Sequence, residues 1–313
     1  MGQPAGTFSS YDAVGNREDL SGVISDISPL ETPFTSSLAT VKATATNHEF
    51  QIDSLAAAAS NAVIEGDDAT TDASSATTRL GNYTQIMDKV ALVTGTQRAV
   101  DSAGRADEFD YQVMKKGKEL KRDRELAFFA NNAKVAGNDS TAREMAGVVS
   151  WIATNVSAGA TATEPTGDGT DARGAGTARA LLESDLKAVL ASAYDNGGNP
   201  DTIYVGSFNK QAISAFSGNA TRTVNGEAEK LSTAVHVYVS DFGELKVMPS
   251  RLMPQGVALA IDHSLWKIAE LRGFQSQDLA KTGDSFRKQV LWEGTLEACN
   301  EAGNGIVADL TTS

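Results

Sequence analysis

Two strand-like runs, 44–55 and 78–94, frame residues 56–77, a stretch with almost no large side chains, and that interruption limits what the chain can fold into. In the second run Thr84, Ile86, Asp88, Val90 and Leu92 alternate with Tyr83, Gln85, Met87, Lys89 and Ala91, so each set occupies one face of a strand. Phe50 and Ile52 share a face of the first run. The two runs read as the legs of one long hairpin. Its tip is rich in Ala, Ser, Thr and Asp, with Val63 and Ile64 as its large apolar residues, too few for a core of its own. A loop this long is uncommon in a compact domain, and is either disordered or a contact element completed by a partner.

Ahead of the hairpin, Leu20, Val23, Ile24 and Ile27 stand at the i, i+3, i+4, i+7 spacing of one helical face, ended by Pro29 and followed by Pro33. A polar stretch, 2–15, precedes them, so the spacing predicts a short amphipathic helix carried on an arm. Its apolar face packs either on its own domain or on a neighbouring copy.

The longest predicted helix covers 107 to about 136, a proline-free stretch with Phe109, Val113, Gly117 and Leu120 on one stripe and Ala127, Phe128 and Ala130 continuing it. Asp107, Glu108 and Asp110 favour its N-terminus. Its middle is basic, with Lys115, Lys116, Lys118, Lys121, Arg122 and Arg124. Two readings are open: a solvated face offset by Glu119, Asp123 and Glu125, or a contact with acidic neighbours or packaged nucleic acid.

A Gly-, Ala- and Thr-rich loop, 157–176, opens a second unit. Leu182, Leu186, Val189, Leu190 and Ala193 mark a helix ended by Gly197 and Gly198. A buried strand at 202–206 follows, then a helix with Phe208, Ala212, Ile213 and Phe216 that Ser207 would cap. Further strands carry Val235, Val237 and Val239; Leu245 and Val247 after a turn at 241–243; and Val257, Leu259 and Ile261. Strand-like runs at 265–271, 286–300 and 306–309 close the chain, with Val290, Trp292 and Leu296 on one face. The class is α+β.

No motif supplies chemistry. His48, His236 and His263 are far apart in sequence, and none has a partner at metal-ligand spacing. Cys299 has no nearby His and reads as an inert packed thiol, and no Gly-x-Ser-x-Gly elbow is present. Gly303, Gly305 and Ala308 match a dinucleotide fingerprint, yet too few residues follow for the required helix. Gly117-Lys118 lies in a helix, not a phosphate loop. Asp168, Thr170 and Asp171 lack the alternation and closing Glu of a calcium loop. The reading therefore expects no catalytic, cofactor or metal site.

In 313 residues, 40 acidic against 27 basic side chains give a net charge of −13, which opposes nucleic-acid binding over the whole surface. A single cysteine allows no internal disulfide, no secretory leader is evident, and no apolar run approaches the roughly 20 residues of a membrane helix. Folding in the cytoplasm, away from a membrane, is expected.

The order of elements (arm helix, long hairpin with a weak tip, one long helix, an α+β unit, returning strands) resembles the HK97-like capsid fold of tailed bacteriophages. Local wording is similar to the SU10-type major capsid family: Tyr11-Asp12-Ala13-Val14-Gly15-Asn16-Arg17-Glu18-Asp19-Leu20, Ile27-Ser28-Pro29 with Thr32-Pro33-Phe34, and His48-Glu49-Phe50-Gln51-Ile52-Asp53-Ser54-Leu55. Gly197-Gly198-Asn199-Pro200-Asp201, Lys281-Thr282-Gly283-Asp284 and Glu293-Gly294-Thr295-Leu296-Glu297 carry the likeness through the second half.

The resemblance implies an N-terminal arm (1–41), an extended hairpin or E-loop (42–99), a peripheral domain with a spine helix (100–156), an axial domain (157–263) and returning peripheral strands (264–313). It implies a non-enzymatic shell protein of the virion. Hexamers and pentamers would form an icosahedral head enclosing double-stranded DNA without reading its sequence. Expected inter-subunit contacts are Leu20, Val23, Ile24, Ile27, Phe50, Ile52, Ile86, Val90 and Leu92. Expected partners are a separate scaffolding protein, a portal and decoration proteins. No residue match carries over a Lys–Asn cross-link or a maturation cleavage. The rival readings are an encapsulin-type compartment and an α+β enzyme with a pocket of shifted acids and bases.

Overall fold

The structure, a computed structural model, describes residues 31–68, 76–100, 107–216 and 237–312. The arm stripe Leu20, Val23, Ile24 and Ile27 lies outside the described residues, as do Val235 and His236. In chain order the first elements are α1 (Pro33–Ser37), β1 (Ala39–Lys42), β2 (Asn47–Ile52), β3 (Thr78–Tyr83), β4 (Gln85–Thr94), α2 (Gly95–Ala99), α3 (Glu108–Phe129), α4 (Val148–Trp151) and β5 (Val156–Ser157). There follow α5 (Glu183–Asp195), β6 (Thr202–Val205), α6 (Ser207–Ser214), β7 (Val237–Ser240), β8 (Gly243–Pro249), β9 (Ala258–Ile261), β10 (Trp266–Asp278), β11 (Ser285–Ala298) and β12 (Gly305–Val307).

The described residues form three sheets. One has the order β1-β10-β11-β4, the second β5-β12-β9-β6-β8-β7, and β2 pairs with β3 alone. The expected single long hairpin is thus broken at Thr84. Only Asn47–Ile52 and Thr78–Tyr83 pair as its legs, Asn47 opposite Tyr83 and Ile52 opposite Thr78, while β4 pairs antiparallel with β11. The break follows from Thr84 itself: it is fully buried, its N–H donates to Thr46 O at 2.8 Å and its hydroxyl donates to Glu293 at 3.3 Å. The hairpin base is tied down by Asn82, which donates to Leu296 O and Ala146 O and accepts the Ala146 N–H.

One core lies beneath both large sheets. Trp266, Ile268, Trp292 and Leu296 from the four-stranded sheet meet Tyr204, Leu259, Ile261 and Ile306 from the six-stranded one. Phe128, Phe129 and Trp151, all fully buried, join them. A second cluster seals α5 and α6 onto the six-stranded sheet through Leu186, Leu190, Ile213, Ile203 and Val205. Burial of each such side chain contributes about 1.5–3 kcal/mol.

The longest helix ends at Phe129, not near Ala136. Asn131 is a poor helix former, and its amide side chain both donates to Arg173 O and accepts the Arg173 N–H, each at 2.8 Å. Lys134 then donates its backbone N–H to Gly169 O at 2.8 Å. Tertiary partners therefore outcompete about two further turns of a weak helix. At the other end, Asp107 caps α3 by accepting the Phe109 N–H at 2.7 Å.

Glu125, read as a surface counter-charge, is instead fully buried and accepts the backbone N–H groups of Phe34 and Thr35. Leu182 precedes α5 and is exposed, so the apolar stripe of that helix starts at Leu186. The α5 terminus is as read: Gly197 adopts φ +81° and donates to Tyr194 O, and Gly198 donates to Ala193 O. Ser207 does not cap α6 with its side chain; it lies inside the helix, and its N–H is taken by Gln255 Oε1 at 3.1 Å. In β7 the alternation turns Tyr238 inward, where it is buried, and Val237 and Val239 outward. The returning strands divide: β10 and β11 build the four-stranded sheet, whereas β12 pairs with β5 and β9 in the other.

Candidate assembly surfaces

The polar clusters inside the chain are locks. His48 Nε2 donates to Glu297 at 2.8 Å, and Lys267 and the Cys299 thiol donate to the same carboxylate. The His48 hydrogen bond, opposed by burial and helped by Cys299 and Lys267, holds the Glu297 acid down at about 2. Burial and the neighbouring Glu297 push the Cys299 thiol up, the opposite of what a nucleophile needs.

Asp201, His263 and Tyr204 stand in line, with His263 bonded to Asp201 at 2.6 Å and to the Tyr204 hydroxyl at 2.8 Å. This order resembles an acid–imidazole–hydroxyl relay, but Tyr204 is fully buried and burial raises its hydroxyl well above the ordinary value. It fastens the six-stranded sheet to α1, whose Phe34 ring lies 6.2 Å from the imidazole. In the loop after β5, Asp168 accepts from the Thr166 and Thr170 hydroxyls and Asp171 from the Thr166 N–H, which closes the turn on itself. No group of three or more His, Cys, Asp or Glu that could hold a metal is found among the described residues. No helix among them is long and apolar enough to cross a membrane.

The basic residues of α3 divide by face. Lys116 pairs with Glu119, Arg124 with Glu270 and Asp123 with Lys89 of β4. Lys115, Lys118 and Lys121 are exposed and join none of these pairs.

The unexplained surface is apolar. On β4 the buried side is Met87, Ala91 and Val93, while Ile86, Val90 and Leu92 are 49%, 41% and 55% exposed on the outward side of an edge strand. Along the neighbouring strand Glu293, Gln289 and Arg287 stand opposite them and frame the patch with polar groups. At the far end of the hairpin, Leu55 is 97% and Val63 and Ile64 about 80% exposed. A chain working alone has no reason to leave so much branched aliphatic surface in water.

Of the contacts expected from sequence, Ile86, Val90 and Leu92 thus fall together on one outward face. Phe50 is half-buried against its own core, its ring 6.0 Å from that of Trp151, and Ile52 is half-buried in β2. Sequence reasoning missed a second outward patch, Val237 and Val239 on the edge strand β7, and the stacked rings of Tyr194 and Phe242 nearby, 4.8 Å apart. The alternation of Val235, Val237 and Val239 had signalled a face, but not which way it points.

A layered α+β subunit with one long helix, a projecting hairpin and outward apolar edges is the architecture of HK97-like phage capsids. Solved structures similar to this chain include the capsid of a native GTA particle (TM-score 0.64, 14% identity, covering 96% of this chain and 98% of that one). They also include the capsid of the cyanophage P-SCSP1u (TM-score 0.60, 11% identity, 95% and 94%) and a chain of Microbacterium phage Oxtober96 (TM-score 0.63, 15% identity, 97% and 99%).

The model of the SU10 major capsid protein family matches residues 4–311, and the chain belongs to that family. It is similar to the major capsid protein of Escherichia phage Phieco32, at 24% identity over 337 residues, 96% of each chain. Its function is to build a phage shell, and neither the enzyme-filled compartment nor the α+β enzyme is favoured by these likenesses.

Proposed function

We propose that copies of the chain join into hexamers and pentamers that close an icosahedral head around double-stranded DNA, without catalysis. The observation that carries this reading is the outward face Ile86, Val90 and Leu92, which no element among the described residues covers. In this reading 1–41 is an arm, 42–99 an extended hairpin, 100–156 and 264–313 a peripheral domain, and 157–263 an axial domain. Leu20, Val23, Ile24 and Ile27 on the arm, with Ile52 and the exposed face of β4, bury against adjacent copies. Symmetry repeats each modest contact around a closed shell.

DNA is enclosed by charge and volume without base contacts, in keeping with a net charge of −13 and one basic helix. Assembly takes place in the host cytoplasm on a separate scaffolding protein, with a portal at one vertex and decoration proteins outside. Sedimentation and negative-stain electron microscopy of the purified chain test the reading. Hexamers, pentamers or closed particles are expected; a strictly monomeric species at all concentrations, with or without scaffold, would overturn it.

A further inference from the structure

Between α3 and the far half of β10 runs an open groove of about 440 Å³. Val113, Gly117 and Val290 form its floor, Met114 and Phe274 its walls, and Lys118 and Lys121 its rim. Met114 is 53% and Phe274 38% exposed. Neither rim lysine meets a carboxylate among the described residues.

Gly117 makes the groove hard to explain within the chain. Glycine inside a helix costs about 1 kcal/mol relative to alanine. Yet a Cβ here would meet nothing within 4 Å, so no internal packing requires its absence. A backbone left bare at the floor of an apolar groove suits the close approach of another segment.

The position of α1 says which segment. Met114, Lys118, Lys121 and Glu125 follow one another at helical spacings of four, three and four, which aligns them on one face of α3. Glu125 holds the Phe34 and Thr35 amides, so the chain before Phe34 starts from that same face. Gly117 lies about 12 Å along the helix axis from Glu125. The stretch from Ile27 to Phe34 spans up to about 23 Å when extended, more than enough to reach it. From Glu18 to Glu31 the sequence holds four carboxylates and no Lys or Arg, opposite in sign to the rim, together with the stripe Leu20, Val23, Ile24 and Ile27.

We propose that in the free subunit this groove is filled by the chain's own residues 18–30, their aliphatic stripe on Met114, Gly117 and Phe274 and their carboxylates toward Lys118 and Lys121. The arm is thereby withheld from other copies until assembly displaces it. That consequence rests on the arm contacting adjacent copies; the docking itself does not.

The test uses the full chain carrying Cys299→Ser with Val23→Cys and Met114→Cys, oxidised at subunit concentrations below assembly. A disulfide within one chain, at a yield independent of concentration, is expected; no disulfide, or one only between chains, overturns the proposal. Lys118→Glu with Lys121→Glu should lower the yield several-fold, and adding Glu18→Lys with Asp19→Lys should restore it. Failure of that rescue, with the variants folded by circular dichroism, would also sink the idea. Gly117→Phe fills the groove and should expose Arg17 to trypsin. If the arm is exposed in this variant and assembly is unchanged, the docking stands and the arm's role between copies fails.

Discussion

Glu125 Oε1 accepts the Phe34 amide at 3.0 Å, and through this bond a fully buried carboxylate takes the place of the side-chain cap that α1 lacks. Oε2 accepts the Thr35 amide at 2.8 Å and the Thr35 hydroxyl. Burial pushes the Glu125 acid up, and the Thr35 and Phe34 donors draw it back. Removal of the side chain leaves the buried Phe34 and Thr35 N–H groups without this acceptor. Glu125→Ala should therefore lower subunit stability by about 3–5 kcal/mol, read as the midpoint of urea unfolding.

Glu297 gives a pH dependence of known sign. Its folded acid sits at about 2 against an ordinary value of 4.5, mainly through the His48 hydrogen bond. The stabilisation it provides is complete above 4.5 and is lost as the pH falls toward 2, an effect on the order of 2 kcal/mol. Urea midpoints of the native chain and Glu297→Gln should differ at pH 6 and converge near pH 2. Curves that stay parallel throughout would show that the pairing is not what stabilises the native chain.

The outward face of β4 separates folding from assembly. Val90→Asp with Leu92→Asp should lower subunit stability by no more than about 1–2 kcal/mol, since only about half of each side chain is covered. The same variant should form no particles in sedimentation. Particles of normal size would remove this face from the shell contacts.

Two glycines on and beside α3 should respond in opposite directions. A Cβ at Gly147 would collide with the Ala130 carbonyl where the chain leaves the helix, whereas at Gly117 it meets nothing. With the groove emptied by Lys118→Glu and Lys121→Glu, Gly117→Ala should raise thermal stability by about 0.5–1 kcal/mol, whereas Gly147→Ala should lower it by about 2 kcal/mol or more. Calorimetry of the two variants in parallel checks both signs.

Much of the fold is legible in the order of residues. The i, i+3, i+4 stripe of α5, its Gly197-Gly198 stop, the β7–β8 turn and the apolar runs that become β6 and β9 all depend on neighbours within a few positions. Local pattern therefore suffices for them. So does the alternation that places Ile86, Val90 and Leu92 on one face of β4. What the pattern cannot carry is direction. Whether that face or the Met87, Ala91 and Val93 face turns inward is decided by α3, which packs against β4 from one side only.

Long-range partners decided the rest. Thr84 divides one alternating run into two strands because Thr46 and Glu293, distant in sequence, capture it. Asn131 stops α3 because Arg173 offers a better set of hydrogen bonds, and Glu125 reads as a surface acid until Phe34 and Thr35 close over it. The sequence by itself determined the class of elements, their order and the absence of catalytic spacing, since these are properties of local chemistry. Only the tertiary structure decided which apolar faces remain uncovered, because burial depends on which distant segments meet.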